Sequence, residues 1–140
     1  MTDTEILTLV DRLERCLLSG DEFCHQDHLA VAVVYLYASD LESAVDKMRA
    51  SLVRFSTHHG AGNKYHETLT RFWVELAEKR LDRNICLCES VRRVQAELGD
   101  KNIINQYYSA GRLSSPEAKA QWIEPDLSPL SYAPMTSNGK

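Results

Sequence analysis

Proline is absent from the first three quarters of this sequence, and all four prolines (Pro116, Pro125, Pro129 and Pro134) lie at or beyond residue 116. Glycine is nearly as sparse: Gly20, Gly60, Gly62, Gly99, Gly111 and Gly139 are the only ones. Both residues interrupt regular structure, glycine through its backbone freedom and proline through its missing N–H. Strand-like alternation is also missing, since no segment shows the period-two run of Val, Ile and Thr that a half-buried strand needs. The longest apolar run, Leu29–Ala38, falls well short of the ~20 residues that span a bilayer. Positive charge is not in excess. Sixteen Lys and Arg face twenty Asp and Glu, for a formal charge of −4, which argues against the basic face that nucleic-acid binding normally uses. Neither a nucleic-acid nor a membrane partner is expected.

The start, Met1-Thr2-Asp3-Thr4-Glu5, has neither the basic residues nor the apolar run of a secretory leader. The four cysteines are therefore expected to be reduced and the location cytoplasmic. Cys86 and Cys88 form a Cys-x-Cys pair with no second pair at zinc-ribbon spacing, so they read as helix-packing residues. No serine stands in a nucleophile elbow, and no glycine-rich phosphate loop is present. Gly60-Ala61-Gly62-Asn63-Lys64 precedes a helix but follows no strand, and reads as an interhelical turn.

What remains is ordinary globular material. Apolar residues make up 44% and charged ones 26% of 140 residues, enough for one domain with its own core. The pattern predicts an all-α fold: an up-down bundle of about five helices with an extended, proline-containing C-terminal segment. Residues 1–130 form the domain, and residues 131–140 a flexible tail. Helix one is predicted from about Glu5 to Ser19, with Ile6, Val10, Leu13 and Leu17 on its inner stripe and Gly20 as its stop. Helix two, about Phe23 to Ala38, carries no charge over Ala30–Ala38 and should be central. Helix three starts at Ser39 or Asp40, runs along Leu41, Ala44, Val45, Met48, Leu52 and Phe55, and ends at Gly60. Helix four is capped by Asn63 and packs Tyr65, Leu69, Phe72, Trp73 and Leu76. Helix five runs from about Leu87 to Leu98. Ile103–Ser109 is a turn or short helix, and Ser115-Pro116 opens another. Leu127 and Leu130 are expected to pin the last segment to the bundle.

The histidines carry the functional signal. His25, His28, His58, His59 and His66 all fall in one window, and short loops between antiparallel helices bring their positions to one end of the bundle. Helical phase turns His59 inward and puts His28 on the face of Ala32 and Tyr35, with His25 one turn back. His28 and His59 differ in level by roughly 10 Å at 1.5 Å per residue, so His25, His28 and His66 make the easier set. Three imidazoles from different helices suit zinc, iron or nickel and leave a position for water. Without a metal, the same histidines line a polar pocket that moves protons on a small molecule, or serve only as caps and core groups. Asp27 or Glu67 would orient a ring or act as a base, although helical phase turns Glu67 away from His66. Tyr65, Tyr107, Tyr108 and Trp122, with Asp126, are the aromatic and polar groups expected to close over the pocket, Tyr108 within reach of the chemistry.

The strings Phe23-Cys24-His25-Gln26-Asp27-His28-Leu29, Lys64-Tyr65-His66-Glu67-Thr68-Leu69-Thr70, Tyr107-Tyr108-Ser109, Ser115-Pro116-Glu117-Ala118 and Trp122-Ile123-Glu124-Pro125-Asp126-Leu127 resemble those of small bacterial helical proteins with no assigned activity. The resemblance spans roughly Phe23 to Leu130. It implies only that His25, His28, His66, Glu67 and the Trp122–Asp126 segment are places to look. Two functions follow as expectations: a histidine-lined pocket for a small molecule, with or without a transition metal, or a helical interaction module. Val53 and Val74, off the main stripes of helices three and four, are the residues that would support a homodimer.

Overall fold

Thr2 accepts a hydrogen bond from the Glu5 N–H, and the Glu5 carboxylate takes the Thr2 N–H in return. This reciprocal cap starts helix α1 (Asp3–Glu14) before Glu5 in the computed structural model, which describes residues 1–130. The expected flexible tail, residues 131–140, lies outside the described residues. Helix α1 also ends earlier than the periodicity predicts. Cys16 adopts a left-handed φ of 56°, with Cys16 N–H bonded to Leu13 C=O and Leu17 N–H to Arg12 C=O. That is a Schellman ending built without glycine. It turns Leu17, expected on the inner stripe, out to 52% exposure, and buries Leu18 instead.

Helix α2 (His25–Ala38) is the centre of the bundle. It touches α1, α3, α4 and α5, which is why Leu29 through Val33, Tyr35 and Leu36 are buried on every side. Helix α3 (Leu41–His58) starts at Asp40, whose side chain accepts from Ser43 N–H. It closes with a second Schellman pair, Ala61 N–H on Ser56 C=O and Gly60 N–H on Thr57 C=O. Here Gly60, at φ 71°, supplies the left-handed residue at little steric cost.

Helix α4 (Glu67–Arg80) is not capped by Asn63, which lies in a 3-10 turn, Gly62–Lys64. The cap is His66, whose Nδ1 accepts from Leu69 N–H at 3.1 Å. Imidazole is not among the preferred cap groups, so the pattern pointed to the asparagine. Helix α4 packs against α2, α3, α5 and α7, and Val74, expected to be exposed, is therefore buried. Helix α5 (Leu87–Leu98) follows its predicted bounds. Of the two cysteines, Cys88 is half-buried and packs against the core, as a helix-packing residue does, whereas Cys86 is the exposed cap of α5. The Cys88 N–H donates to Asp3 Oδ1 at 2.9 Å, tying the start of α1 to the start of α5.

The chain then makes a 3-10 turn (Lys101–Gln106) and two short helices, α6 (Ala110–Leu113) and α7 (Pro116–Ala120). Among the described residues the fold is all-helical, with no strand. The remaining described segment, 121–130, has no regular secondary structure. Leu130 is 6% exposed, but Leu127 is 55% exposed and is held only through its N–H, bonded to Tyr107 C=O.

One hydroxyl docks this segment. Thr68, fully buried, donates to Gln121 C=O at 2.8 Å and accepts from Ile123 N–H at 3.2 Å. Thr68→Val keeps the shape but strands both backbone groups. It is expected to cost about 1–3 kcal/mol in chemical denaturation, with far-UV circular dichroism unchanged.

Candidate functional site

A cavity of about 560 Å³ lies between α2, α3 and α4, within the usual range of small-molecule sites. Its walls are apolar: Ala32 from α2, Met48, Leu52 and Phe55 from α3, Leu69, Trp73 and Val74 from α4, and Ile104 from the 3-10 turn after α5. Polar side chains line it too, among them His25, His28, Lys64, Tyr65, His66 and Lys101. Three histidines expected at one end of the bundle are thus brought to one cavity.

Their ring nitrogens are not equally available. His25 Nε2 donates to Leu98 C=O at 2.9 Å, at the end of α5, and its ring stands edge-on to Trp73 with centroids 4.4 Å apart. His66 Nε2 donates to Leu113 C=O at 3.0 Å, while its Nδ1 caps α4. Each accepting carbonyl requires hydrogen on Nε2, so His66 has no lone pair left and His25 offers only Nδ1. The expected three-histidine centre for zinc, iron or nickel does not fit this arrangement. Helix-end carbonyls and a helix N-terminus hold the nitrogens that a metal would need. Among the described residues no three His, Cys, Asp or Glu side chains are placed to share an ion.

His28 is different. Among the described residues neither ring nitrogen has a hydrogen-bond partner, and the ring packs 4.5 Å from that of Phe23. It sits deep among protein atoms but keeps part of its surface where the cavity reaches it. Burial pushes its pKa down to about 4, neighbouring His25 adds to the effect, and Asp27 opposes it. At neutral pH it is an uncharged imidazole with one donor and one acceptor.

His58 is exposed, and so is His59, which was expected inward. His59 stands at the C-terminal cap of α3, its ring against Phe55 and its Nε2–H donated to Leu18 C=O. Neither lines the cavity.

The two carboxylates considered as bases are both occupied. Asp27 Oδ2 turns back to accept from the N–H and thiol of Cys24, at 3.2 and 3.3 Å, at the start of α2. Glu67 lies outside the cavity, as its helical phase predicted. It takes a bidentate pair from Arg49 at 2.9 and 2.6 Å, plus the Tyr65 hydroxyl at 2.7 Å. The Arg49 guanidinium holds its carboxyl below the usual range, and burial pushes the Tyr65 hydroxyl up.

Tyr107, Tyr108, Trp122 and Asp126 do not close over the cavity; none lines it. Tyr108 is buried and donates to Ile123 C=O at 2.6 Å. Tyr107 packs on Phe72, 5.2 Å between centroids. Trp122 donates to Glu124 at 2.8 Å and lies 5.6 Å beneath the Arg71 guanidinium. Asp126 takes both the N–H and the hydroxyl of Ser109. These residues clamp the C-terminal segment onto α4 on its Thr68–Phe72 face, one residue step round the helix from the cavity-lining Leu69 and Trp73. The 3-10 turn reaches the cavity first, with Lys101 and Ile104.

Among the lining residues that sequence reasoning missed are Phe23, Cys24, Lys101, Ile104, the Leu69-Thr70-Trp73-Val74 side of α4 and the Met48-Leu52-Phe55 row. The row has core spacing and carries no sign that one side of it faces a void. No protein-family model, curated protein or solved structure matches the chain.

Proposed function

We propose that the protein binds a small, predominantly apolar organic molecule in this cavity, with neutral His28 as its polar contact. The observation that carries this reading is an imidazole without a partner, set in an apolar wall of a ligand-sized space. A buried polar group normally finds a partner within the protein, and a ligand hydroxyl or carbonyl supplies one here. Binding is favoured over proton-transfer catalysis. A base with a pKa near 4 is weak at neutral pH, whereas general acid–base groups work best near the operating pH. The interaction-module reading has less behind it, because the exposed large apolar residues among the described ones are few, Met1, Leu7, Leu17, Val53 and Leu127, and single exposed ones are normal.

Titration with the neutral fluorophore N-phenyl-1-naphthylamine tests this. Saturable one-to-one binding is expected. Ala32→Phe, which fills the floor, and Leu69→Trp, which narrows the partly exposed wall, are each expected to weaken it by about ten-fold or more, some 1.4 kcal/mol. Circular dichroism of both variants checks that they fold. Linear, non-saturable fluorescence from the parent protein contradicts the reading.

A further inference from the structure

The acidic residues of this chain outnumber its basic ones, twenty to sixteen, yet none of them lines the cavity. Lys64 enters it from the α3–α4 connection and Lys101 from the turn after α5, and both are exposed at its edge. Neither ammonium makes a salt bridge among the described residues. The nearest carboxylates in sequence are engaged elsewhere: Asp100, beside Lys101, accepts from Asn102 N–H, and Glu67 is paired with Arg49. The space therefore has an apolar interior and a cationic mouth, with no carboxylate among the residues that line it. We infer that the ligand is an apolar molecule ending in a carboxylate, its tail against Trp73 and Phe55 and its head between Lys64 and Lys101. This inference rests on the cavity-binding reading above and adds the class of the head group.

A carboxylate suits the mouth better than a phosphate. No guanidinium lines the cavity, whereas planar bidentate recognition of phosphate draws on arginine. Two separate ammonium groups offer point charges, one for each oxygen of a carboxylate. A solvent-exposed ion pair changes affinity by up to about five-fold, so two together are expected to contribute about ten-fold, and salt will reduce it.

Displacement of bound N-phenyl-1-naphthylamine by two ligands of equal shape reads this directly. At pH 7.5 and low salt, 4-phenylbutyrate is expected to displace the fluorophore at about ten-fold lower concentration than 4-phenylbutanol. The gap should narrow in 0.5 M sodium chloride. It should shrink in Lys64→Met and in Lys101→Met, and close in the double variant, with acid and alcohol compared within each variant. Equal displacement by acid and alcohol in the parent protein overturns the carboxylate assignment and leaves the cavity reading standing. A gap that survives the double lysine variant overturns the Lys64–Lys101 placement. If the fluorophore itself does not bind saturably, the cavity reading fails and the carboxylate falls with it.

Discussion

Replacing Phe72 by alanine is expected to remove about 3–5 kcal/mol of stability, a large part of the 5–15 kcal/mol typical of a domain. The ring is fully buried and meets three others, with centroids 4.9 Å from Trp73, 5.2 Å from Tyr107 and 5.9 Å from Tyr108. These contacts join the wall of the cavity to the C-terminal segment. Truncation opens a void beside Trp73 and loosens the clamp on Tyr107 and Tyr108 at once. The loss should appear as a lower urea midpoint with little change in slope, together with weaker near-ultraviolet circular dichroism from the aromatic cluster. A loss below 1 kcal/mol would mean that the C-terminal segment is not held through Phe72.

Acid is expected to destabilise the protein through His28 by about 3 kcal/mol. The unfolded chain titrates this histidine near its ordinary value of 6.5, the folded one at about 4. Above pH 6.5 both states hold it neutral, and stability is unaffected. As the pH falls from 6.5 towards 4, only the unfolded chain takes up the proton, so stability falls. Below pH 4 both states are protonated and this contribution levels off. His28→Gln has no such proton to bind. Urea unfolding at pH 7 and pH 4 should therefore show the parent losing about 3 kcal/mol more than the variant. Carboxylates such as Glu67 also titrate over this interval, but equally in both proteins, so the difference isolates the imidazole. Parallel losses would mean that His28 is solvated rather than set in an apolar wall.

The bundle was legible where residue type and period agreed. The uncharged run of α2 announced its central place, Asp40 and Ser115 announced helix starts, and α5 kept its predicted limits. Two misreadings share a cause: a residue did what another type usually does. Cys16 took the left-handed role of glycine, and His66 took the capping role of asparagine. Val74 lies on a helix surrounded on more sides than one stripe accounts for. At the site, His25, His28 and His66 line one cavity, and the ends of their helices can be placed from loop lengths alone. Sequence could not show which ring nitrogens were already taken, since Leu98 and Leu113 accept through backbone carbonyls that every residue carries. Nor could it show that Met48, Leu52 and Phe55 border a void, because a cavity wall and a filled core share the same helical spacing.

The most direct test of cavity binding is nuclear magnetic resonance of protein carrying isotope-labelled histidine rings and methionine methyls, titrated with N-phenyl-1-naphthylamine. Met48 and His28 line the cavity, whereas Met1 and His58 do not. Saturable shifts confined to the Met48 methyl and the rings of His28, His25 and His66, with Met1 and His58 unmoved, are the expected result. Shifts at His58 or Met1 that equal those at His28, or a His28 ring unmoved at saturation, would contradict it.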